Sequence, residues 1–314
     1  MKEASKTGDK LVGLVRTGSS YPEISGAITN ALSLIGFKAT PSVTSVIIKP
    51  NLCYYWDAST GYTTDPLVVG ALLDWIRDQF GKDVTIRVAE ADASAMRTKY
   101  VFKVLGYEKL ARERNIELLN LSEDVLIDKN VIVNGHELSF KIPEKLITSD
   151  IVINVPKLKI MRATKITCAM KNIFGANGVV RKMTYHHLLD EAIVGMNMMV
   201  RPHLTVVDGL VGLGKFPKRI GLIMASTDCF SVDWVASKIM GYKPSSVRFL
   251  NLAIKEGLGT PNEVRTCGEK VQDFAEIFPR EGFVASRYLW GLQFWLLSTY
   301  KKLSGDIIPP VLEE

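Results

Sequence analysis

Apolar and polar positions along the chain follow two alternating periods. Short runs rich in Val and Ile have the pattern of a buried strand. The stretches between them repeat their apolar residues every three to four positions, as a helix against a core does. Strand-like runs fall at 11–16, 43–49, 84–89, 116–121, 151–155, 204–207 and 222–225. Helical stretches fall at 22–35, 65–80, 99–114 (broken at Gly106), 164–173, 184–200 and 229–240. The second of these is opened by Asp65-Pro66, a capping residue followed by a proline in the first turn. This alternation predicts βαβ units: an α/β fold with a mostly parallel sheet flanked by helices, in two lobes. Asn134-Gly135 between two apolar runs predicts a β-hairpin over 131–140 that interrupts the alternation as an insertion. Beyond Pro244 the pattern weakens.

The last segment differs in kind. Residues 285–302 carry Tyr288, Trp290, Phe294, Trp295 and Tyr300 on a broad apolar helical face. The chain therefore divides into an α/β body over 10–281 and a C-terminal amphipathic helix and tail over 282–314. That helix docks on the body, docks on another subunit of a homo-oligomer, or makes peripheral membrane contact helped by Arg287, Lys301 and Lys302.

With 314 residues and 47% hydrophobic content, the chain can bury a large core and is not disordered. Its 39 basic and 33 acidic residues give a net charge of +6, which suits a small anionic ligand. The basic residues are interleaved with no aromatic stacking platform and no reader motif, so nucleic acid is not the expected partner. Cys53, Cys168, Cys229 and Cys267 are scattered, which excludes a cysteine-only cluster or zinc ribbon. Residues 1–10 are polar and no run approaches eighteen apolar residues, so neither a signal peptide nor a spanning helix is expected. A cytoplasmic, reducing setting follows.

Open α/β sheets bind ligands where strands end and helices begin. Here four strand ends carry charged or amide residues: Lys49 and Asn51, Glu90 and Asp92, Lys157 and Lys159, then Asp208 and Gly209. Lys157 and Lys159 are two apart and share a direction if the chain stays extended. Lys165, Lys171 and Asn172 follow on the next helix. Crowded ammonium groups lower one another's pKa, so such a cluster serves as an anion clamp or supplies a base. Asn51 and Asn172 orient ligand oxygens, and Glu90 and Asp92 supply acid–base partners. The segment 208–214 lacks the spacing of a Walker loop and reads as a glycine loop near Lys215, Lys218 and Arg219. His186 and His187 are adjacent and cannot form an i, i+4 metal pair; His186 is the one that serves in proton transfer. No serine elbow and no sequence-adjacent Cys–His pair supports covalent hydrolysis.

The run Ile153-Asn-Val-Pro-Lys-Leu-Lys159, with Cys168-Ala-Met-Lys-Asn-Ile-Phe-Gly175, resembles the signature of the DUF362 family of prokaryotic proteins, frequent in archaea and anaerobes. Lys49-Pro-Asn-Leu52, Thr63-Thr-Asp-Pro66, Leu105-Gly-Tyr107, Tyr185-His186, Asp208-Gly209, Thr227-Asp228 and Val232-Asp233 match it in family order. The resemblance implies an α/β fold without an assigned activity. It also implies a distant similarity to the nickel-dependent lactate racemase group, two-lobed proteins that hold a nickel–pincer nucleotide with histidine and lysine in a cleft. Two departures bear on chemistry. Ile160-Met161 stand where the family has Thr-His, and Leu213-Gly-Lys-Phe-Pro217 where it has a Glu-Gly before Asn-Gly-Pro. Metal and cofactor therefore remain unassigned by the sequence. Two functions are expected from it: an enzyme acting on a small anionic metabolite or cofactor, or a non-catalytic accessory protein for redox or cofactor assembly.

Overall fold

In a computed structural model, the protein is described over residues 10–38, 42–53, 55–94, 96–280 and Thr299. The helix expected over 285–302 and the tail lie, Thr299 apart, outside these. The strands are β1 (Lys10–Arg16), β2 (Ser45–Pro50), β3 (Thr85–Glu90), β4 (Glu117–Asn120), β5 (Leu126–Val133), β6 (His136–Pro143), β7 (Ile151–Val155), β8 (Lys157–Met161), β9 (Lys165–Thr167), β10 (Leu204–Leu213), β11 (Pro217–Ser226) and β12 (Val264–Gly268). The helices are α1 (Tyr21–Leu34), α2 (Pro66–Phe80), α3 (Thr98–Val104), α4 (Tyr107–Arg114), α5 (Lys145–Thr148), α6 (Ala169–Phe174), α7 (Leu189–Met199), α8 (Cys229–Ile239), α9 (Arg248–Lys255) and α10 (Val271–Ala275).

One ten-stranded sheet runs in the order β12-β1-β11-β10-β7-β2-β3-β4, with β8 paired to β10 and to β9. β11 lies antiparallel to both β1 and β10. The other neighbours along the path run parallel, the mostly parallel α/β sheet that the sequence pattern predicts. Alternate strand residues feed two cores on opposite faces. Val46, Ile48, Val206 and Ile223 pack with α1 and α2 through Ile24, Ile28, Leu72 and Ile76. Ile47, Val207, Leu222 and Met224 pack with α6–α10 through Ile173, Ile193, Val232, Phe249 and Phe274.

Local chemistry explains the boundaries. Ser20 and Glu23 form a capping box on α1. The Asp65 carboxylate accepts from Leu67 N at 2.9 Å and starts α2, with Pro66 in its first turn. Gly106, at φ 79°, separates α3 from α4. β5 and β6 form a separate two-stranded sheet closed by Asn134 and Gly135, both left-handed (φ 51° and 80°), and it is longer than the 131–140 expected. A Cβ on Gly195 of α7 would sit 3.0 Å from Phe140, so this glycine lets the hairpin dock.

Three expectations need correction. The helix expected over 164–173 starts only at Ala169, because 157–167 forms the β8–β9 hairpin. The helix expected over 184–200 begins as a 3-10 segment, Lys182–Leu188, and becomes α only at Leu189. The glycine segment 208–214 is not a loop, since β10 continues through Leu213 against β11. Past Pro244, where the pattern fades, stand α9, β12 and α10. Among the described residues no helix is long and apolar enough to cross a membrane.

Candidate functional site

β2, β3, β7 and β10 are parallel, so their carboxyl ends lie along one edge of the sheet. The side chains they deliver there form a single buried polar network. Lys49, at the end of β2 and 1% exposed, donates to both oxygens of Glu90 at the end of β3 (2.7 and 2.8 Å) and to Pro50 O (2.7 Å). Glu90 also accepts from Leu52 N and Ala91 N, both at 2.9 Å. Asn172, on α6, lies over this pair. Its oxygen accepts from Asn51 Nδ2 at 2.9 Å and Lys49 Nζ at 3.3 Å, and its amide donates to Asn154 Oδ1 at 2.8 Å. Thr64 Oγ1 ties Asn51 N to Val155 O.

A second ion pair closes the β8 side. Lys157 Nζ donates to Asp208 Oδ2 at 2.9 Å, and both side chains are fully buried. Asp208 accepts as well from Asp65 N (2.7 Å) and Leu210 N (3.0 Å). Lys159 is different. Its ammonium is 2% exposed as a residue and donates to Asn51 Oδ1 (2.6 Å), Tyr62 O (2.8 Å) and Cys53 Sγ (3.1 Å). Among the described residues no carboxylate lies within ion-pair distance of it. Lys171 stands beside it on α6 and donates to Thr164 Oγ1 at 3.4 Å.

Desolvation governs how these lysines titrate. Burial pushes the Lys49 ammonium down, against the pull of Glu90. Burial, then repulsion from Lys159, brings Lys171 down to about 8. Burial brings Lys182 to about 8 as well, with Glu90 pulling the other way, while its Nζ donates to Asp92 O. For Lys171 the sign is fixed. A folded value below the unfolded 10.5 means its favourable contribution is present above 10.5 and is lost as pH falls through 8. Lys171→Met is therefore expected to be more stable than the parent at pH 7. That advantage should shrink by about 1 kcal/mol at pH 9 in paired urea titrations, because other titrations cancel in the difference. An advantage independent of pH would contradict the depressed pKa.

The sequence-predicted residues thus have separate fates. Lys49, Asn51, Glu90, Lys157, Lys159, Lys171, Asn172 and Asp208 come together. Lys157 is no free clamp or base, because Asp208 neutralises it. Asp92 organises the loop before α3, accepting from Thr98 N (2.8 Å) and Arg97 (3.2 Å). Gly209 is a packing residue: a Cβ there would meet Leu222 O of β11 at 2.8 Å. His186 is exposed on the 3-10 segment, and Lys165 is exposed with its Nζ on Ser246 O. His203 Nδ1 accepts from Val152 N at 3.0 Å. Among the described residues no group of three His, Cys, Asp or Glu is placed to hold a metal ion.

Sequence reasoning missed Cys53, Asn154, Lys182 and Asp233 as members of this assembly. Asp233, on α8, accepts from the first two amides of α6, Ala169 N (2.7 Å) and Met170 N (3.0 Å). Asn154 and Asp233 stand inside the quoted family motifs, and that is the signal that pointed to them. Nothing in its local sequence marks Lys182.

A cavity of about 490 Å³ adjoins the network at Thr64 and Asp65, lined also by Asp57, Leu67, Leu105 and Arg219. Burial and then Asp208 raise the Asp65 pKa. With Asp57 and Asp65 facing a single guanidinium, this cavity offers an anion less positive charge than the Lys159–Lys171 corner does.

The sequence profile of a domain of unknown function, DUF362, matches residues 46–238. That is more than half of the chain, and the protein belongs to this family. A thylakoid-associated protein of Synechocystis is 27% identical over 227 residues, 68% of this chain and 68% of that protein. Among solved structures, the lactate racemase apoprotein of Thermoanaerobacterium thermosaccharolyticum is similar at a TM-score of 0.42 and 10% identity. The alignment covers 74% of this chain and 57% of the racemase chain.

Proposed function

We propose that the protein is an enzyme acting on a small anionic metabolite or cofactor, bound at the corner formed by Lys159 and Lys171. One observation carries this reading. The neighbours Lys49 and Lys157 each have a buried carboxylate, whereas the Lys159 ammonium, equally buried, meets neutral oxygens and a sulfur. Buried charge without a counter-charge is costly, and an entering carboxylate or phosphate relieves that cost. Lys171 adds a second cation, and its value of about 8 suits giving or taking a proton near neutral pH. Asn51 and Asn172 orient the lysines. Four unpaired cysteines fit a reducing, cytoplasmic compartment. Peripheral contact through 285–302 belongs to the same proposal, the Synechocystis relative being described as thylakoid-associated.

A binding role without turnover is the second reading. The locking of Lys49 by Glu90 and of Lys157 by Asp208 favours it, since both pairs remove acid–base candidates from use.

Thermal unfolding of the full chain with inorganic phosphate and with two- to four-carbon carboxylates tests anion binding. At a hundredfold excess over Kd a bound anion adds about 2.7 kcal/mol, and Lys159→Met abolishes that gain. No stabilisation beyond a chloride control of equal ionic strength sinks the proposal. Proton NMR of the best-binding anion in D2O then separates the readings: exchange or conversion means catalysis, an unchanged ligand means binding alone.

A further inference from the structure

Cys53 follows β2 by three residues and is the half-buried end of the Lys159 corner. Its sulfur accepts from the Lys159 ammonium at 3.1 Å. Its thiol in turn points at Asn51 Oδ1 (3.8 Å) and Tyr62 O (3.7 Å), the same two oxygens that Lys159 binds. The other three cysteines sit differently. Burial pushes the Cys168 thiol far up, brings Cys229 to about 12 and raises Cys267. The Cys267 sulfur faces the carbonyls of Val12 and Leu34.

A second feature, on the β8–β9 hairpin that carries Lys159, points to a ligand. Thr167 is the cross-strand partner of Lys159 in the β8–β9 hairpin, so the two side chains stand on one face. Thr167 is 4% exposed, yet its hydroxyl has no hydrogen-bond partner. A buried hydroxyl left unpaired costs free energy. A ligand oxygen drawn to Lys159 would reach the face on which that hydroxyl waits.

We propose that Cys53 is a covalent nucleophile of this site and that it takes small carboxylates or phosphates carrying an electrophilic carbonyl carbon, a 2-oxo acid being the simplest. The sulfur lone pair forms the S–C bond, and the C=O π pair moves onto oxygen. That oxygen takes a proton from the Lys159 ammonium, and the thiol proton passes to the amine left behind, so the ammonium is restored. The product is a hemithioacetal; no electron is lost, and return of the proton reverses the step. Lys159 thus plays two parts, holding the sulfur before attack and supplying the proton after it. The substrate class rests on the reading of the Lys159–Lys171 corner as an anion site, whereas the reactivity of the thiol does not.

The test is the rate of alkylation of each cysteine in the full-length parent protein at pH 7, read by peptide mass spectrometry. Neutral iodoacetamide and anionic iodoacetate are compared. Iodoacetamide is expected to modify Cys53 about tenfold faster than Cys267. The iodoacetate-to-iodoacetamide rate ratio at Cys53 should exceed that of free glutathione several-fold, and the excess should fall as salt is added. Lys159→Met should slow Cys53 by about tenfold; the reagent comparison in the parent protein stands even if that variant does not fold. If Cys53 reacts no faster than Cys267 with either reagent, it is not a nucleophile, whatever phosphate does to stability. Fast reaction with iodoacetamide and no gain for iodoacetate keeps the thiol but overturns the anionic substrate class.

Discussion

Asp208→Ala is expected to destabilise the protein by about 3–5 kcal/mol, the range for breaking one side of a buried ion pair. The reason lies in what the carboxylate holds. Its Oδ2 accepts from Lys157 Nζ and Asp65 N, and its Oδ1 from Leu210 N. Removing it leaves an ammonium and two amides without an acceptor in a place water does not reach, since both side chains of the pair are fully buried. Lys157→Met should cost less, because Asp208 keeps its two amide donors and methionine fills much of the lysine's volume. Urea unfolding of the two variants checks the asymmetry. Equal losses would mean that the pair's attraction, and not the stranded groups, sets the cost. A loss below about 1 kcal/mol for Asp208→Ala would mean that Lys157 sheds its proton instead.

That asymmetry also shows where sequence reading stops. The strand ends bearing Lys49, Glu90, Lys157 and Asp208 were legible, because short Val- and Ile-rich runs bound them and parallel strands share one edge. Their pairing was not. Lys157 and Asp208 are fifty-one residues apart and meet because β8 lies against β10. Nothing local marks a lysine two residues before another lysine as buried, so the pattern shows no strand over 157–163 and a helix from 164. The tertiary partners that make Lys157-Leu-Lys159 a strand are distant in sequence. β11 was visible as a strand over 222–225, but its reversed direction depends on the short connection after Leu213 and not on its own residues. The Lys171 pKa of about 8 likewise comes from burial and from Lys159, both properties of the fold.

Asp233→Ala is the second large loss expected, about 3 kcal/mol or more, from two buried amides deprived of their acceptor. Ala169 N and Met170 N begin α6, and α6 carries Lys171 and Asn172, so the damage should spread to the site. Phosphate stabilisation, if carried by the Lys159–Lys171 corner, should weaken in this variant although Asp233 is on α8 and outside that corner. Asp233→Asn keeps one acceptor and should fall between parent and alanine. Burial pushes the Asp233 carboxyl up to about 7, with the two amide bonds pulling the other way. A folded value above the unfolded one means that its contribution is full below about 4 and is lost as pH climbs through 7. The parent's advantage over Asp233→Asn, which does not titrate, should therefore narrow from pH 5 to pH 8 in denaturant titrations. An advantage that widens over that range would mean that the two amide bonds outweigh burial and keep Asp233 ionised in the fold.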